Sequence, residues 1–212
     1  MHTRASAIRT MAAAAVMALA ASAGGCGGGH SPPPNCLQVQ PCGGDVVGNW
    51  SFLGTCSDVQ AQSAELAASC PGAKINAAGV SLTGTLNFTA YATYTATNWH
   101  EFFVIAETVP LSCAGAARCT DRNGTETDTS NGSMVTVTTA CSGTTTCACR
   151  VNGTLTLSSD SGSYTTAGTL LDMYGGTTSG LFDYCVEDNR LHLLNLTSTG
   201  QVVSDLVAQR TQ

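Results

Sequence analysis

From Val80 the chain alternates. Val80, Leu82, Gly84, Leu86 and Phe88 fall in one set of positions and Ser81, Thr83, Thr85, Asn87 and Thr89 in the other. Successive side chains of a strand point to opposite faces, so this pattern predicts a strand with one buried and one wet face. The alternation returns at Val151, Gly153, Leu155 and Leu157, with Asn152, Thr154 and Thr156 opposite. Further strands are predicted over 50–55, 100–106, 134–140, 163–171, 182–186, 191–196 and 202–209. Turn signals separate them at Asn123-Gly124, Asn131-Gly132, Asp160-Ser-Gly162 and Glu187-Asp-Asn189, the last suited to a hairpin. About eight strands, each with one buried face, make an all-β domain, either a barrel or a sandwich.

One short helix is expected. Ser57-Asp-Val-Gln60 fits a capping box, and Val59, Ser63, Leu66 and Cys70 share a face before Pro71-Gly72 ends the segment. Cys56 and Cys70 at its two ends suggest that it is stapled to the sheet. The polar, glycine-containing stretch 118–132 reads as an exposed loop.

The N-terminus has a different pattern. Arg4 and Arg9 precede an alanine-rich apolar run from Met11, which ends in small residues. That is the layout of a secretory signal peptide, and the run is too short to span a bilayer. Ala23-Gly24-Gly25-Cys26 resembles a bacterial lipobox, which implies cleavage before Cys26 and lipid on its thiol. The expected organisation is a signal peptide over 1–25, a lipidated glycine- and proline-rich tether over 26–47, and a barrel domain over 48–212. Gly27 follows the cysteine where an Asp would resemble an inner-membrane retention signal, so an outer-membrane location is expected. The membrane, met through the lipid, is then the expected partner.

Eleven cysteines sharpen this picture. With Cys26 lipidated, Cys36, Cys42, Cys56, Cys70, Cys113, Cys119, Cys141, Cys147, Cys149 and Cys185 remain, an even set suited to disulfides in an oxidising compartment. Cys36–Cys42 and Cys113–Cys119 are expected as local loops, and Cys185 as a cross-strand partner for Cys147 or Cys149. Of the eight basic residues, Arg4 and Arg9 fall in the signal peptide, so six face fourteen acids in the mature chain. Nucleic acid is a poor partner for such a surface.

Three short motifs carry a resemblance. Gly48-Asn-Trp50 is similar to the Gly-x-Trp signature of the lipocalins, Phe182-Asp183-Tyr184 to their Thr-Asp-Tyr motif, and Arg210 to the arginine that packs on the tryptophan. The cysteine-rich run from Cys141 to Cys149, followed by Asp183-Tyr-Cys-Val186, resembles an uncharacterised class of bacterial lipoproteins with lipocalin-like domains. The resemblance implies an antiparallel up-and-down barrel whose base Arg210 and Trp50 close. Leu82, Leu86, Phe88, Leu155 and Leu157 would line its interior around a small apolar molecule, or else fill it as a solid core.

Catalysis finds little support. Gly-x-Ser-x-Gly, His-Glu-x-x-His and a glycine-rich phosphate loop are all missing from the sequence. His100-Glu101 is a lone pair beside an aromatic strand and reads as surface and core. Cys147-Ala-Cys149 puts two thiols on one strand face, but His30, His100 and His192 complete no zinc spacing, so disulfides are favoured. The loop Asp121–Asp128 lacks the glycine position and terminal Glu of a calcium loop. No cofactor and no metal are expected. The expected role is a non-enzymatic, membrane-anchored binding module; the alternative is a structural or protein-interaction module of the cell surface, its partner unknown.

Overall fold

The computed structural model describes residues 38–130, 133–196 and 200–211. The signal peptide, the lipidation position Cys26, His30, Cys36 and the turn Asn131-Gly132 lie outside these residues. Ten strands are present: β1 (Gly48–Ser57), β2 (Lys74–Phe88), β3 (Thr93–Pro110), β4 (Gly124–Ser130), β5 (Ser133–Ser142), β6 (Thr146–Ala167), β7 (Leu170–Tyr174), β8 (Gly180–Glu187), β9 (Arg190–Leu196) and β10 (Val202–Thr211). Helix α1 (Val59–Ser69) follows β1, and a 3-10 turn (Cys119–Arg122) precedes β4.

Eight of the strands close a ring. The order β3-β2-β1-β10-β9-β8-β7-β6 returns to its start because β6 also pairs with β3. The result is a closed, eight-strand antiparallel up-and-down barrel, and closure excludes the sandwich. Strand β6 is the pivot of this arrangement. Its 22 residues give one edge to β3 and divide the other between β5, over 148–157, and β7, over 163–167. The β4–β5 hairpin therefore stands outside the ring as a flap.

Several expectations change in the structure. The supposed turn at Asp160-Ser-Gly162 lies inside β6, where Gly162 opposes Tyr94. A Cβ on Gly162 would come within 2.7 Å of the Tyr94 ring, so this glycine serves a close approach rather than a turn. The turn falls instead at Gly168, with φ of 63°, and splits the strand expected over 163–171 into the end of β6 and the start of β7. Of the stretch expected as a loop over 118–132, the described residues 118–130 contain the 3-10 turn and β4. Because β4 is exposed on both faces, it has no apolar alternation to reveal it; Thr125 and Thr127 bond to Thr138 and Thr136 on β5. Asp58, not Ser57, caps α1, its carboxylate accepting from the Gln60 and Ala61 amides. The Glu187-Asp-Asn189 hairpin is present, with Asp188 and Asn189 both at positive φ as a two-residue primed turn requires.

Disulfide use holds, but the connectivity is not the expected one, and three of the four bridges span 28 residues or more. Cys42 bonds Cys185, Cys70 bonds Cys113, Cys119 bonds Cys147 and Cys141 bonds Cys149, so neither expected local loop exists. Cys185 is likewise no partner of Cys147 or Cys149. Cys56 is disulfide-bonded as well. Residues 38–47, assigned to the tether by composition, pack on the barrel: Val39 and Val46 are buried, and Gly43 bridges to Cys185 of β8. Among the described residues no helix is long and apolar enough to cross a membrane.

Candidate ligand cavity

The alternation that builds β3 also builds the cavity. Tyr94, Ala96, Trp99, Glu101, Phe103 and Ile105 are buried, while Thr95, Asn98, His100 and Phe102 are exposed. The step from Ala96 to Trp99 spans an irregular register in which Asn98 takes a φ of 51° opposite Gly84 of β2. A Cβ on Gly84 would sit 2.9 Å from the Asn98 carbonyl oxygen, so the irregularity needs glycine there. It sends Trp99, and Glu101 after it, to the interior.

Glu101 is a carboxyl among hydrocarbons. Its register partners are Leu82 on β2 and Leu155 on β6, both buried. Only 4% of its surface is exposed, and burial pushes its pKa from 4.5 up to about 7, with the nearby Trp99 indole N–H pulling partly the other way. That indole lies beside the carboxyl without closing a well-formed bond. Among the described residues neither Trp99 Nε1 nor Glu101 Oε1 has a hydrogen-bond partner of acceptable geometry. The contrast with Trp50 is informative, because its buried indole donates to the Val46 carbonyl at 2.7 Å. A buried polar group without a partner costs about 1–3 kcal/mol and asks what would satisfy it.

Both residues line a narrow, mostly apolar cavity of about 30 Å³ that opens outward. Leu86, Leu155, Met173, Phe182, Leu193 and Leu206 make its apolar wall, and Thr177 and Thr178 from the β7–β8 loop complete it. That loop is anchored from below. Asp160 Oδ2 accepts from the amide and hydroxyl of Thr178, both at 2.7 Å. Gly176 has no room for a side chain, since a Cβ would lie 2.5 Å from the Tyr94 hydroxyl and 2.6 Å from Asp160. A misread turn residue, Asp160, thus positions one wall of the site.

Comparison with family models, with curated proteins and with solved structures finds no match to this chain. The site has to be read from its own chemistry.

The structure separates the expected lining residues. Leu86 and Leu155 line the cavity, while Leu82, Phe88 and Leu157 are buried in the barrel core without bordering it. The lipocalin-like positions gather next to the cavity wall, where Trp50 pairs in register with Leu86 and Tyr184 with Leu193. Trp50 is fully buried and pairs in register with Arg210, whose guanidinium lies 4.6 Å from its ring centroid and donates to the Asp45 carbonyl at 2.8 Å. Gly48 packs beside that guanidinium, the Tyr184 hydroxyl donates to the Gly44 carbonyl, and Asp183 accepts from Thr169. Trp99, Met173, Phe182, Leu193 and Leu206 were not anticipated as lining, and Glu101 was read as surface and core. One signal for Glu101 existed: it shares strand parity with Trp99 and Phe103.

A second buried acid is already matched. Asp205 on β10 and His192 on β9, almost without exposure, lie with Nδ1 2.9 Å from Oδ2. They alternate with the inward Leu191, Leu193 and Leu206, so they occupy the outer side of the wall, away from the cavity.

Proposed function

We propose that this chain is a non-enzymatic carrier or sensor module, exported, held to the outer membrane by lipid on Cys26, with a small apolar molecule bound inside its barrel. The observation that carries the reading is the interior cavity with its apolar wall and one buried carboxyl, Glu101, beside the Trp99 indole. The resemblance at Gly48, Trp50, Asp183, Tyr184 and Arg210 to the lipocalins, and to lipoproteins with lipocalin-like domains, supports the same reading, as does the packing of Arg210 on Trp50.

Native mass spectrometry of the protein released from its own membrane tests this. The expected spectrum contains the lipidated polypeptide plus a second species heavier by one small organic molecule, lost when the barrel is unfolded. A Leu206→Trp variant, which fills the cavity from its wall, should lose the heavier species and keep the lipid. Only the lipidated mass in the wild type, over repeated preparations, would count against a carrier.

The interaction-module reading retains one specific support. Strand β4 ends the sheet beyond β5, with an exposed, threonine-rich edge carrying Glu126 and Asp128. Such charges normally blunt an edge against pairing, so this reading ranks second.

A further inference from the structure

The carrier reading leaves open what the polar end of the bound molecule is. Resting on that reading, we infer that the barrel takes a primary amine: a protonated ammonium head on a short apolar body, with the ammonium against Glu101 and the body along Leu155, Phe182 and Leu206.

The lining is asymmetric in charge. Among the described residues Glu101 is the one charged side chain of the lining, and no basic residue borders the cavity. An anionic ligand would meet that carboxyl with nothing to balance it. An alcohol would supply a donor but no charge. An ammonium supplies three donors and the missing cation, and charge-assisted bonds are roughly twice as strong as neutral ones. The whole chain, with a formal charge of −6, attracts cations rather than anions.

The groups around Glu101 leave its titration uncomplicated. Leu82 faces it from β2, Leu155 from β6, Trp99 and Phe103 flank it on β3, and Met173, Phe182, Leu193 and Leu206 wall the cavity. None of these titrates in the ordinary range. Burial holds the empty site's carboxyl near half-protonation at neutral pH, because its pKa is about 7. An arriving ammonium favours the carboxylate, and the carboxyl proton leaves to buffer. No bond to carbon forms or breaks.

Hexylamine and 1-hexanol, matched in length, provide the test with the full, oxidised chain. At pH 8 hexylamine should bind the wild type about tenfold more tightly than hexanol. Glu101→Gln should remove that preference and keep the hexanol affinity. Below about pH 7 the amine affinity should fall by up to tenfold per unit while that of hexanol stays level. Calorimetry at pH 7 in two buffers of different ionisation enthalpy should register proton release with the amine alone, a readout that needs no variant. Equal binding of the two ligands, a preference surviving Glu101→Gln, or no proton release overturns the amine and leaves the carrier standing. Binding of neither ligand overturns both.

Discussion

With a leucine in register on each side, Glu101 has no cation among the described residues to balance its charge, and only the Trp99 indole N–H lies near its carboxyl. That isolation has a thermodynamic signature. The folded carboxyl, with a pKa of about 7, holds its proton over the range in which the unfolded one, near 4.5, has released it. The folded state therefore binds more protons between those values, and stability falls as pH rises through that window, levelling off above about 7. The full shift is worth about 3 kcal/mol. Glu101→Gln has no such titration. Urea denaturation should find the variant close to wild type at pH 4 and more stable by about 2–3 kcal/mol at pH 8; parallel pH curves would contradict a buried, isolated carboxyl. His192–Asp205 predicts the reverse outcome for a deletion. Asp205→Ala leaves a buried imidazole without its partner at 2.9 Å and should cost about 3 kcal/mol or more in the same assay.

At the scale of elements, β6 sets the shape of the barrel and its glycines set how closely β3 can approach. Gly153 opposes Phe103 on one side and Val137 on the other. A Cβ there would lie 2.0 Å from the Phe103 ring, inside any allowed contact. Gly153→Ala should destabilise by about 1–3 kcal/mol, and by clearly less in a Phe103→Leu background, because the two positions share one space. Guanidinium denaturation of the four proteins of that cycle measures the coupling; additive effects would show that the ring simply moves aside. The same glycines explain what the sequence concealed. Strands with one wet face, such as β2 and β8, were legible because their alternation survives in composition. Gly162 was misread as a turn because a glycine under a tyrosine ring and a glycine in a turn look alike in one dimension. Strand β4 had no buried face to announce it. Glu101 was legible by parity, but its lack of a partner depends on which strands flank β3, and strand neighbours are a property of closure.

For the whole molecule, cross-links tie distant parts of the chain together and set where an anchor could begin. Cys42–Cys185 spans 143 residues and pins the segment from residue 38 onward to β8, so a tether from Cys26 has at most residues 26–37 to work with. Twelve residues extend to at most about 40 Å, enough to hold the domain just clear of a membrane surface. The count of thiols bears on the anchor itself. Nine described cysteines are bonded, and nine is odd, so one of Cys26 and Cys36 is needed to complete the set and the other remains over. The lipoprotein reading requires Cys36 to be the tenth and Cys26 to carry lipid. Alkylation under denaturing, non-reducing conditions followed by intact-mass analysis should therefore find no free thiol and an acylated N-terminal cysteine in the wild type. Cys36→Ser should expose one alkylatable thiol and leave membrane attachment intact. Cys26→Ser should expose none and leave the protein unacylated. If instead Cys26→Ser frees a thiol while acylation is never seen, Cys26 belongs to the disulfide set and the domain is held to its membrane by something else, or not at all.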